Sequence, residues 1–187
     1  MKFANLPFAT IAATGYLIAN LTLTSQGLIE GRTLIPTLDD LKNIDSSAWQ
    51  SVAGLLWIIV ALNTYFVQRY PHGAVLVSAS INLVANTCLL ISGYTQEAFG
   101  VHALGLIPSF IGVFLMLQGN KINNKKYFFA RYPVACATGV WIIMTPFLFY
   151  NSILSQDWTL TFVIIMWVIS HIFFALTDQN FKKKIFS

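Results

Sequence analysis

Residues 159–177 read TLTFVIIMWVISHIFFALT, without an Asp, Glu, Lys or Arg, between Asp157 and Asp178. An α-helix rises about 1.5 Å per residue, so roughly 20 apolar residues cross a hydrocarbon core about 30 Å thick. In lipid every backbone N–H and C=O must find its partner inside the protein, and a helix does this within one segment. The run therefore predicts a membrane-spanning helix. Read outward from it, the chain holds five more runs of the same kind, at about 7–24, 49–68, 71–93, 99–118 and 132–150, all free of charged residues. The predicted fold class is an all-α membrane protein of six transmembrane helices in one domain, residues 1–187.

Composition agrees. The 187 residues are 56% hydrophobic and only 10% charged, against about 25% charged for soluble domains. So few charges cannot cover a soluble protein of this size, and a bilayer removes that need. The net charge of +4 does not point to nucleic acid, because the basic residues cluster between apolar runs rather than along one face. Cys88 and Cys136 lie inside apolar runs without CxxC spacing and read as small packing residues.

The charges between the runs predict an orientation. Lys2, Arg69, Lys121, Lys125, Lys126, Arg131, Lys182, Lys183 and Lys184 fall on one side, with Asp178. Arg32 and Lys42 fall on the other, with six acidic residues. Basic residues favour the cytoplasmic side, so both termini are expected there, in a bacterial-type cytoplasmic (inner) membrane. An even number of helices agrees. Lys2 followed by 6–23 also has the layout of a signal peptide; it is read as an uncleaved first helix. Trp49, Trp158, Tyr94 and Tyr150 sit at expected outer boundaries, and Tyr70, Tyr127 and Tyr132 at inner ones.

Arg69-Tyr70-Pro71 recurs as Arg131-Tyr132-Pro133, each before a run leaving the cytoplasm. The recurrence raises tandem helical hairpins as an architecture, although these residue types are common at interfaces. The one long connection, 25–48, is polar. It contains a short helical turn at Leu38–Leu41 capped by Thr37, and is expected to fold over the outer mouth.

Polar residues inside the spans are the candidate site. Ser78, Asn82 and Asn86 are spaced i, i+4, i+8 and share a helix face. Asn20, Asn63 and His171 lie in other spans. Such residues line paths or pockets, or else join helices as hydrogen-bonding glue. For His171 the readings are a pH-sensitive group or a neutral, hydrogen-bonded histidine. Trp57, Trp141 and Trp167 fall at similar depth and would form an aromatic pocket or constriction, or pack in the wall. Pro108 and Pro146 are helix-break candidates that free a carbonyl one turn earlier. Ala9 and Ala13 offer a small-residue face to a partner subunit or another helix of the same chain.

Catalysis finds no motif: no HExxH, GxSxG or glycine-rich phosphate loop. No paired carboxylates or metal-ligand spacing occur, and His102 and His171 lie at different depths for a haem. No enzyme activity, metal or cofactor is expected. Partners are expected to be the lipid bilayer, a small-molecule solute, and a second copy or a partner membrane subunit. A charge-free interior bearing Asn, Ser and Thr suits a channel or transporter for a small neutral or weak-acid solute. The alternatives are a substrate-capture subunit of an importer and a non-transporting accessory or immunity-type protein.

Overall fold

A computed structural model describes residues 7–43, 45–67, 70–95, 106–107, 110–111, 113–115 and 131–186. Their regular structure is entirely helical: α1 (Phe8–Ile29), α2 (Leu38–Lys42), α3 (Ser46–Thr64), α4 (Pro71–Thr95), α5 (Pro133–Leu154), α6 (Trp158–Ala175) and α7 (Gln179–Phe186). Of these, α1, α3, α4, α5 and α6 are long and apolar enough to cross a membrane. The remaining predicted span, 99–118 with Pro108, lies outside the described residues except for three short helical pieces.

Helix boundaries differ from the apolar runs where hydrogen bonding, not hydropathy, decides them. Helix α1 continues past the apolar run through Ser25 and Gln26. It ends in a reversal at Gly31, whose φ of 87° suits a residue without a Cβ. Gly31 N–H donates to the Leu28 carbonyl and Arg32 N–H to that of Gly27, at 3.1 and 2.8 Å, which satisfies two carbonyls left over at the helix end. Thr37 caps α2 in a reciprocal pair with Asp40. Asp45 caps α3 by accepting from Ser47 N–H. The start of α4 and that of α5 are alike: Ala74 N–H donates to the Tyr70 carbonyl and Cys136 N–H to that of Tyr132, each at 2.9 Å. Helix α5 runs on through Pro146.

The tail after α6 is itself a helix, α7, with Asp178 accepting from the N–H groups of Asn180 and Phe181 at its start. Its lysines are not simply solvated. Lys182 Nζ lies 5.1 Å from the centre of the Phe8 ring and Lys184 Nζ 5.6 Å from that of Tyr132, within cation–π range. Phe181 stacks edge-on against Tyr132. Both ends of the described chain thus meet at the lysine-rich end of the bundle.

Helix α1 packs between α3 and α6, α4 packs on α3, α5 packs on α6, and α4 meets α5 over a short stretch, so the five long helices form a ring. Small residues make the closest approach possible. Ala9, Ala12, Ala13 and Ala19 of α1 are buried. A Cβ built on Gly15 would collide with Ser170 Oγ of α6. The small-residue face of α1 is therefore occupied by helices of the same chain rather than offered to another. The outside is apolar: Phe162, Ile165, Ile169 and Ile172 of α6 are 41–46% exposed, a surface that suits hydrocarbon rather than water.

Candidate functional site

The five long helices line a cavity of about 420 Å³. All five long helices contribute to its wall, and so do Arg32, Thr33 and Leu34 of the connection after α1. Among the described lining residues Arg32 alone is charged, and it stands at the end of the cavity.

Most of the predicted polar residues converge here. Asn20, Ser78, Asn82, Asn86 and His171 line the cavity, as do Trp57, Trp141 and Trp167. Asn63 does not. Its amide N–H₂ donates to the Ala74 carbonyl at 2.7 Å and to Ser78 Oγ at 2.8 Å, which ties α3 to α4. Pro146 does not line it either, and the preceding Thr145 hydroxyl donates to the Trp141 carbonyl.

The lining residues divide by what they bond. Asn20 is spent on the protein: its N–H₂ donates to the Trp57 carbonyl at 3.1 Å, and its oxygen accepts from Trp167 Nε1 at 3.2 Å. One amide thereby joins α1, α3 and α6. Trp57 and Trp167 meet edge-to-face with centroids 5.4 Å apart, a favoured aromatic geometry. Asn86 turns back on its own helix to the Asn82 carbonyl. The Asn82 amide, by contrast, has no partner among the described residues and faces the cavity.

His171 sits in an aromatic cage. Tyr16 lies edge-on at 5.0 Å and Trp141 is tilted against it at 6.0 Å. Its Nδ1 is 2.6 Å from the Trp167 carbonyl. Among the described residues no carboxylate shares the lining with it.

The cavity's charged end is organised by side chains from α3, α4 and the connection after α1. Arg32 folds back over Gly27, where a Cβ would lie 2.7 Å from the guanidinium carbon. It donates to Gln50 Oε1 at 2.8 Å and pairs with Glu30 at 3.0 Å. Gln50 in turn donates to Ser92 Oγ of α4 at 2.8 Å. Of the connection after α1, Arg32, Thr33 and Leu34 line this end of the cavity. Sequence reading missed Tyr16, Arg32 and Gln50 as lining residues. Tyr16 is hidden in the alanine-rich stretch of α1, and the Gly31 reversal that turns Arg32 inward carries only a glycine as its signal.

The chain matches no family model, no curated protein and no solved structure. No group of three or more His, Cys, Asp or Glu residues could hold a metal ion among the described residues.

Proposed function

We propose that the chain is a small channel or transporter of a cytoplasmic membrane, with both termini on the cytoplasmic side. Its solute crosses uncharged, as a neutral molecule or as the undissociated form of a weak acid. One observation carries this reading: a cavity of about 420 Å³ lies among the five long helices, walled mainly by aliphatic side chains and indoles with a few amides, hydroxyls and one imidazole. Ligand sites typically enclose about 300–1,000 Å³ with an apolar wall and a few polar groups. A bare ion entering this wall would lose its hydration without a fixed counter-charge to replace it. The Arg32 charge is offset locally by Glu30.

Flux into proteoliposomes tests the proposal, with glycerol, urea and undissociated acetic acid as probe solutes. Vesicles carrying the protein are expected to re-swell faster than protein-free vesicles for at least one of them, and Asn82→Leu to slow that response. Equal rates with and without protein for all three would refute it.

A second reading is a substrate-capture subunit that docks on an energising partner. The loop residues at the mouth of the cavity favour it. The small-residue face of α1 is buried against helices of the same chain and is not available to such a partner. Flux by the isolated chain would rule this reading out.

A further inference from the structure

The cavity contains polar atoms that the described residues leave unused. Tyr16 is 7% exposed, and its hydroxyl has no hydrogen-bond partner among the described residues. It belongs to the lining of the cavity. Its ring stands edge-on to His171, with centroids 5.0 Å apart and planes at 87°. The only hydrogen bond of His171 among the described residues joins Nδ1 to the Trp167 carbonyl. A carbonyl only accepts, so Nδ1 carries the proton, and in the neutral ring Nε2 is left as a bare acceptor. Among the described residues a phenol hydroxyl and an imidazole nitrogen therefore stand unpaired on adjoining rings, in a lining they share with Trp57, Trp141, Trp167 and Phe174.

Buried polar groups are ordinarily paired, and one that is not calls for a water, an ion or a ligand. The two atoms here need different things. Tyr16 can donate and Nε2 can only accept. A hydroxyl oxygen meets both needs, because it accepts from one and donates to the other. An ether or ketone leaves Nε2 unpaired. A carboxylate has no proton to give and brings a charge that this part of the wall does not offset.

We infer that the cavity selects apolar molecules bearing a free hydroxyl, phenols or alcohols, whose oxygen is held by Tyr16 and His171 while the body rests on the three indoles. The inference rests on the cavity being the solute site.

Bromine-bearing probes test it, because a heavy atom beside Trp57, Trp141 and Trp167 quenches their fluorescence. The protein in nanodiscs is titrated at neutral pH with 4-bromophenol, 4-bromoanisole and bromobenzene. The expected result is saturable quenching by 4-bromophenol, with half-saturation about ten-fold below that of 4-bromoanisole, the difference one hydrogen bond makes. Tyr16→Phe should raise the 4-bromophenol value towards that of the anisole and leave the anisole value in place. Equal half-saturation of phenol and anisole on the unaltered protein would overturn hydroxyl selection and leave the cavity standing as a binding site. An unchanged phenol value in Tyr16→Phe would overturn it as well. The absence of saturable quenching by all three would overturn this inference, while the flux of glycerol, urea and acetic acid decides the proposed function separately.

Discussion

Asn20 and Asn82 bring the same side chain to the same cavity and are used differently. Asn20 holds the Trp57 carbonyl and the Trp167 indole N–H, whereas the Asn82 amide has no partner among the described residues. Asn20→Leu should therefore destabilise the fold. Interhelical hydrogen bonds in membranes average about 0.6 kcal/mol, and the stranded indole N–H adds to the loss, so the total is about 1–2 kcal/mol. Asn82→Leu should leave stability unchanged and slow flux. Unfolding in mixed detergent micelles beside vesicle flux separates the two; equal destabilisation by both substitutions would contradict the division. Asp45 gives a pH-dependent case. Its carboxyl is held below the ordinary value of 3.8 by hydrogen bonds from the Ser47 side chain and backbone. A lowered folded value means that the cap supports α3 above that pH, and that the support is lost as pH falls through the folded value. Asp45→Ala should lower the melting temperature at pH 7, and the gap from the unaltered protein should close as pH falls below 3.8. At this scale the sequence carried the Ser78–Asn82–Asn86 stripe, since spacing alone puts three residues on one face. It could not separate Asn63 from Asn82, because the difference lies in whether a carbonyl such as that of Ala74 happens to be within reach.

Among the elements, α1 shows most clearly what hydropathy can and cannot say. An apolar run marks where a helix lies in lipid, but its end is set by backbone chemistry, here the Gly31 reversal. The same limit applies to α7. Its lysines read as a tail, yet Phe181 and Ile185 are one turn apart and the Phe8 and Tyr132 rings receive two of the lysines. The contact between α1 and α6 makes a sharp prediction. A methyl group added at Gly15 collides with Ser170 Oγ, a fully buried side chain that donates to the Met166 carbonyl. Overpacking of this kind costs about 1–3 kcal/mol. Gly15→Ala should destabilise by that amount in thermal unfolding. Adding Ser170→Ala should restore most of it, because the next atom, Ser170 Cβ, lies at an ordinary 3.5 Å. Failure of the second substitution to rescue the first would show that the helices do not meet here.

For the whole molecule, the ring order was beyond the sequence, since six similar apolar runs do not say which faces which. Charge-free runs and lysine clusters supply expectations of number and direction, while neighbours are chosen by side-chain fit. The ring also predicts how its Arg32 end is fastened. Arg32, Gln50 and Ser92 join the loop, α3 and α4, and Cys88 lies buried one turn before Ser92. Arg32→Ala should raise the rate of maleimide labelling at Cys88 several-fold and leave Cys136, in α5 at the other end, at its original rate. Equal changes at both thiols would indicate general loosening instead. Biosynthesis feels the ring as well. The Asn20–Trp167 bond joins residues 147 positions apart, and translation proceeds at about 5–20 residues per second. Helix α1 therefore waits on the order of ten seconds for α6. During that interval its amide must be sheltered by Trp57, by the insertion machinery, or by a lipid headgroup.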